Sequence, residues 1–262
     1  MTPHLPTLPV PIWDAHMHVH VIEGHPWNSP PERALAVMDP VGIEKAVIMP
    51  YVEVSHENAG QLELDASYAA RFPERFLLFA RLHPGEDGGA GELLDHAVSD
   101  LGYVGLKLHP VGSRIHPTDP RTVRLVRKAA RLGLPTLFHC GDEELTLPDD
   151  IGPLAERCPE ATIILGHAGG YFHGDDAITW ARRCPNLVIE TSATPDLRVL
   201  KRALDELGPH RVIFGSDGPG CLPYLEIFKL YQLLPGFERY TADLFRDNLR
   251  RLLRRLPSEG VS

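Results

Sequence analysis

Ile12-Trp-Asp-Ala-His-Met-His18 is an apolar run that ends on two histidines two residues apart, and its reading decides the fold. A β-strand alternates its side chains between faces, so His16 and His18 point the same way. Two imidazoles on one face of a strand end can hold a divalent cation once further donors arrive from other parts of the chain. Lys107, His139, His167 and Asp217 each stand where another apolar run ends. The architecture required is one that gathers many strand ends at a single mouth.

Eight runs read as strands, at residues 12–18, 45–52, 76–84, 103–110, 135–141, 162–168, 187–193 and 211–217. Most are near-continuous in Val, Ile, Leu and Phe, the pattern of strands buried on both faces in a parallel sheet. Helical segments at 57–71, 91–100, 149–157, 175–183 and 196–206 alternate with them. A further helix opens on Asp119-Pro120 and closes at Gly133. Strands and helices in this alternation predict an α/β chain folded as a single, slightly distorted (β/α)8 TIM barrel over residues 1–262. No Gly-x-Gly-x-x-Gly turn follows the first strand, which argues against a dinucleotide fold. Proline and glycine cluster at the strand exits, as in Leu108-His109-Pro110 and Ser216-Asp217-Gly218-Pro219, and in this fold the exits form the catalytic face.

Of the 262 residues 43% are hydrophobic, enough for one large core. The formal charge is −9, with no basic run facing one way, so nucleic acid is not an expected partner. Arg250, Arg251, Arg254 and Arg255 share an amphipathic helix with Phe245, Leu249, Leu252, Leu253 and Leu256, and read as its charged outer face. No apolar stretch approaches the roughly 20 residues that span a bilayer. The first residues lack the basic start and apolar middle of a secretory signal, so a cytoplasmic protein is expected. Cys140, Cys158, Cys184 and Cys221 show neither zinc-knuckle nor redox-pair spacing.

The candidate site residues carry distinct chemistry. His16 and His18 read as metal ligands, and Asp14, two residues before His16, as an acceptor that sets an imidazole tautomer. His139 and His167 close buried runs, where an unpaired imidazole would be costly. Asp217 needs compensation at the tip of a buried strand; a divalent ion provides it, and the carboxylate can then take a proton from water. Lys107 fits three readings: neutralising a substrate carboxylate, carrying a carbamate that bridges two metals, or pairing structurally with an acid. His109 shares its parity and faces the site with it as a second substrate contact. Arg81 and His83 form a similar pair, while His20, His56, His116 and His173 fall just beyond strand exits.

With these residues in hand the chain resembles the amidohydrolase superfamily, in the branch grouping short TIM-barrel metal-dependent hydrolases with aminocarboxymuconate-semialdehyde decarboxylase. The resemblance rests on Asp14-Ala-His-Met-His18, Met38-Asp-Pro-Val-Gly-Ile-Glu-Lys-Ala-Val47, Gly105-Leu-Lys-Leu-His-Pro110, Gly166-His-Ala-Gly-Gly170, Gly215-Ser-Asp-Gly-Pro219 and Asp247-Asn-Leu-Arg-Arg-Leu-Leu253. It implies one catalytic zinc, with manganese or iron as substitutes, held by His16, His18, His139 and Asp217. His167 then stands beside water or substrate as base or electrostatic partner. Binuclear relatives carry a carboxylated lysine on the fourth strand, where Lys107 falls, so a second metal is the lesser alternative.

The first expectation is therefore a hydrolase that uses a metal-activated water on a small carboxylic ester, lactone or amide, with Asp217 and His167 handling the proton. The alternative is a zinc-dependent nonoxidative decarboxylase of an aromatic or muconate-like acid, which chain length disfavours. A third reading is a metal-binding protein without turnover. The partner is a small molecule carrying a carboxylate. A homo-oligomer is also compatible, with the proline-rich start (Pro3, Pro6, Pro9, Pro11) lying across a neighbouring subunit or across the barrel's own base.

Overall fold

Eight parallel strands follow one another around a single sheet in chain order: β1 (Ile12–His18), β2 (Ile43–Met49), β3 (Phe76–Arg81), β4 (Gly105–Leu108), β5 (Thr136–His139), β6 (Ile163–Gly166), β7 (Leu187–Glu190) and β8 (Val212–Ile213). This computed structural model describes residues 8, 10–85, 89–233, 235 and 238–253. Pro3, Pro6, Pro9, Arg254, Arg255 and Leu256 lie outside them. β8 is shorter than the run 211–217 suggests, yet the segment that follows it still closes the ring onto β1. Ala15 N donates to Phe214 O at 3.0 Å, Asp217 N to His16 O at 2.7 Å and His18 N to Gly218 O at 2.7 Å. The result is a (β/α)8 barrel.

The helices are α1 (Pro31–Met38), α2 (Gly60–Arg71), α3 (Gly89–Ser99), α4 (Pro110–Ser113), α5 (Pro120–Arg131), α6 (Pro148–Arg157), α7 (Gly174–Arg183), α8 (Leu197–Leu207), α9 (Pro223–Tyr231) and α10 (Asn248–Leu252). In α5 the Asp119 side chain accepts from Arg121 N, and proline stands in the first turn, where its missing N–H has no intrahelical partner to lose. α1, α4 and α9 are additions to the helices read from the sequence. Each starts on a proline behind an extended residue, and α1 and α9 are short enough for their apolar faces to pass unnoticed. No helix among the described residues is long and apolar enough to cross a membrane.

The interior of the barrel is filled by Trp13, Ala15, Val47, Met49, Phe79, Leu137, Ile164, Val188 and Ile213, with Leu249 and Leu253 in the same cluster. This layer sets the position of the site. Strand side chains repeat every two residues, so Arg81, Lys107, His139 and Glu190 share a face with Phe79, Gly105, Leu137 and Val188 and lie one layer nearer the strand exits. On β1 the inward residues are Trp13 and Ala15, which should turn His16 and His18 outward. The pairing of β1 with β2 is irregular between Asp14 and Met17, and that irregularity switches the inward face to His16 and His18.

Candidate active site

His16 is fully buried and lies at the centre of the polar cluster. Its Nδ1 is 3.0 Å from Glu190 Oε2, and its Nε2 is 3.0 Å from Lys107 Nζ and 3.5 Å from Asp217 Oδ1. His18 Nε2 approaches the same Asp217 oxygen at 3.2 Å, while its ring stacks on Tyr51 with centroids 4.3 Å apart. His167 and Asp217 both adopt left-handed backbone, at φ 68 and φ 56. That conformation is uncommon for residues other than glycine, although His and Asp tolerate it better than most, and here it turns the chain at two strand exits.

The site residues expected from the sequence do not all meet at one point. His16, His18 and Asp217 each offer a ligand atom within 4.8 Å of the others. His139 stands one ring away: its Nδ1 is 3.1 Å from His167 Nε2, its Nε2 is 3.3 Å from Glu143, and His109 stacks on it at 4.3 Å. Asp14 does not meet an imidazole. Its Oδ1 accepts from the backbone of His16 at 2.9 Å and of Ser216 at 3.0 Å, tying β1 to the segment after β8. Arg81 is held by Glu53, with Nη2 to Oε1 at 2.6 Å and Nε at 3.1 Å, and His83 Nδ1 accepts from Gly85 N. Glu190 was not singled out by sequence reasoning. The signal was present, because it is the one charged residue of the buried run Leu187-Val-Ile-Glu190.

Burial governs the ionisation of the cluster. It pushes His16 well below the usual imidazole range, lowers His18 and His139, and brings His167 to about 4 and His109 to about 2, with neighbouring cations adding to the effect at several of these rings. Burial alone would raise the Asp217 carboxyl, but the hydrogen bond from His18 and the surrounding imidazoles outweigh it and hold the group well below the carboxylate range. Desolvation and the nearby Arg81 guanidinium bring Lys107 down from 10.5 to about 7. Near neutrality the site thus presents neutral imidazoles, an ionised carboxylate, and an amine able to surrender its proton.

This donor set suits a divalent cation. Two neutral imidazole nitrogens and a carboxylate oxygen match the preferences of zinc, manganese and iron, and three protein ligands leave room for further ones. Lys107 Nζ lies 3.0 Å from His16 Nε2, on the side of the ring that an ion shared with His18 and Asp217 would meet. A second grouping of possible ligand atoms, from His16, His167 and Glu190, is accounted for by hydrogen bonds of Glu190 to His16, Ser192 and the backbone of His167. Beside the cluster lies a cavity of about 530 Å³, whose lining includes the apolar and aromatic Ile22, Trp27, Tyr51 and Val52 together with His18, Arg81, Lys107, His109, His139, His167 and Asp217.

Residues 13–255 match the family described as amidohydrolase. Among solved structures, the chain is similar to a 2,6-dihydroxybenzoate decarboxylase complexed with 2,6-dihydroxybenzoate, at 19% identity over 95% of this chain and 99% of that one, with a TM-score of 0.74. A dihydroxybenzoic acid decarboxylase from a Polaromonas species, with bound manganese and 2-nitroresorcinol, matches at 16% identity, 93% and 97% coverage and a TM-score of 0.72. A probable 2-pyrone-4,6-dicarboxylic acid hydrolase from Acinetobacter baumannii, with citric acid bound, matches at 15% identity, 94% and 100% coverage and a TM-score of 0.68.

Proposed function

This chain belongs to the amidohydrolase family, and we propose that it is a divalent-metal-dependent, nonoxidative decarboxylase of a small aromatic or muconate-like acid. The observation that carries the proposal is a cavity that joins aromatic lining to basic and metal-ligating side chains. Ile22, Trp27, Tyr51 and Val52 give it apolar surface suited to a flat ring, and Arg81, Lys107, His18 and Asp217 line the same cavity. The likeness to decarboxylases of hydroxylated benzoic acids supports the same reading. The alignment with them reaches 97% and 99% of their lengths, so the length of this chain does not count against decarboxylation.

His16, His18 and Asp217 would hold the metal, with His139 as a fourth ligand if its ring swings from His167. When bound, the ion supplies Lewis acidity toward the oxygens of the substrate. Lys107 binds the carboxylate as a charged donor, and His109, neutral, contacts the substrate beside it. With a hydroxylated acid, Asp217 accepts the hydroxyl proton and passes it to the ring carbon that bears the carboxylate. The carbon–carbon bond then breaks, its electron pair returns to the ring, carbon dioxide leaves, and the phenolate takes a proton from solvent. His167, a neutral ring that lines the same cavity as Asp217, steadies the developing charges.

Hydrolysis of a lactone or ester, the first expectation from the sequence, is the second reading, favoured by the likeness to the pyrone dicarboxylic acid hydrolase. The test is to strip the protein with a chelator, reload it with Mn²⁺ or Zn²⁺, and offer hydroxybenzoates, muconate-like acids, lactones and esters. Carbon dioxide release that depends on the metal is expected from the acids. Acid release from a lactone or ester, with no carbon dioxide from any acid, would overturn the proposal and install hydrolysis in its place.

A further inference from the structure

We infer that Glu190 is a positioning residue that sets the tautomers of two site histidines at once, His16 directly and His167 through Ser192. The metal reading above supplies the consequence of this arrangement, whereas the hydrogen-bond assignment stands without it.

Glu190 is completely buried at the end of β7, and donors converge on both of its oxygens. Oε2 meets His16 Nδ1 at 3.0 Å, Ser192 Oγ at 2.8 Å and His167 N at 3.3 Å, while Oε1 accepts from Ser192 N. Space is reserved for this carboxylate: a Cβ added at Gly215, on the segment after β8, would overlap Glu190 Oε1. A carboxylate is an acceptor, so the proton of His16 is on Nδ1 and its Nε2 carries a lone pair. The other side of the ring agrees independently, because Lys107 Nζ, a donor, lies 3.0 Å from that Nε2.

The second histidine follows from counting hydroxyl protons. Ser192 has one, and the carboxylate at 2.8 Å is the stronger acceptor for it. Ser192 Oγ, 2.9 Å from His167 Nδ1, must then accept from that nitrogen. His167 accordingly carries its proton on Nδ1 and a bare Nε2, which is 3.1 Å from His139 Nδ1. One acid on β7 thereby turns the Nε2 lone pairs of rings from β1 and from the exit of β6 toward the polar cluster. Neither ring has to move a proton before its Nε2 can meet a cation or a substrate proton. The sequence suggested this task for Asp14, whose Oδ1 is taken by two backbone donors instead.

Glu190→Gln tests the inference with almost no change in shape. The amide must replace one oxygen by NH2. Facing His16, the NH2 forces the His16 proton onto Nε2; facing Ser192 N, it sets two donors against each other. Long-range ¹H–¹⁵N correlation spectra of the metal-free protein distinguish protonated from bare ring nitrogens, with peaks assigned by their loss in His16→Gln and His167→Gln. The wild type is expected to show Nδ1–H and bare Nε2 for both rings. With its NH2 toward His16, Glu190→Gln should lose that signature at His16 and weaken Mn²⁺ binding by about 10- to 100-fold. With its NH2 toward Ser192 N, it should keep the signature and lose stability instead. Ser192→Ala should disturb His167 and leave His16 as it was, so it decides the matter even if the Gln variant fails to fold. Nε2–H on His16 in the wild type, or a His167 signal indifferent to Ser192→Ala, would overturn the inference. A protein that shows the expected tautomers yet decarboxylates nothing leaves this inference intact and removes only the functional proposal.

Discussion

Replacing Lys107 by Met should stabilise the metal-free protein while crippling turnover. Lys107 is 1% exposed, and its pKa falls from 10.5 to about 7 on folding. Between those values the unfolded chain holds a proton that the folded protein has released, so wild-type stability rises with pH across this window. At about 1.4 kcal/mol per pH unit, holding this amine in the fold costs about 4 kcal/mol at pH 7 and about 2 kcal/mol at pH 9. Methionine has a similar length and no charge. It also leaves His16 Nε2 without its donor, which costs about 1 kcal/mol. The variant should therefore be more stable by about 3 kcal/mol at pH 7 and by about 1 kcal/mol at pH 9. Urea unfolding of both metal-free proteins, followed by circular dichroism at the two pH values, measures this directly. On the reactive side, a lost hydrogen bond to a charged group is worth about 1.5–3 kcal/mol, or roughly 10- to 150-fold in kcat/KM. A variant less stable at both pH values, or a gain that does not shrink as the pH rises, would refute the reasoning about the buried amine.

Two further outcomes are expected. Asp217→Asn should lower turnover by about 10²- to 10⁴-fold, because the amide cannot carry the proton, while His16 and His18 retain weakened metal binding; wild-type turnover would exclude Asp217 from proton transfer. Asp65, on α2, is 2% exposed, accepts from Gln61 Nε2 at 2.7 Å on one oxygen and has no partner on the other among the described residues, and burial raises it from 3.8 to about 7. The folded protein keeps that proton after the unfolded chain has lost it, so stability falls as the pH rises from about 4 to 7. Asp65→Asn should therefore be about 2–3 kcal/mol more favourable at pH 8 than at pH 5 in urea unfolding, and equal effects at the two pH values would count against it.

Much of this protein follows from local chemistry. Runs such as Thr162-Ile-Ile-Leu-Gly166 are apolar on both sides, which only a strand covered on both faces tolerates, and their alternation with helices selects the barrel. Because a barrel brings strand ends together, His16, His18, Lys107, His139, His167 and Asp217 could be named as candidate site residues before any contact was known. Contact itself depends on register, and periodicity carries no register. The irregularity that turns His16 and His18 inward arises where β1 pairs with β2, a property of two segments and of neither alone. The separation of His139 from the His16, His18 and Asp217 group, and its pairing with His167, depend on where ring atoms stop within a crowded interior. Glu190 reaches His16 across 174 residues of chain, and the pattern Leu-Val-Ile-Glu shows a buried acid without showing which donor it meets. Side-chain type and spacing decide which faces are buried; only the closed sheet, by bringing distant backbones within about 3 Å, decides which lone pair faces which proton.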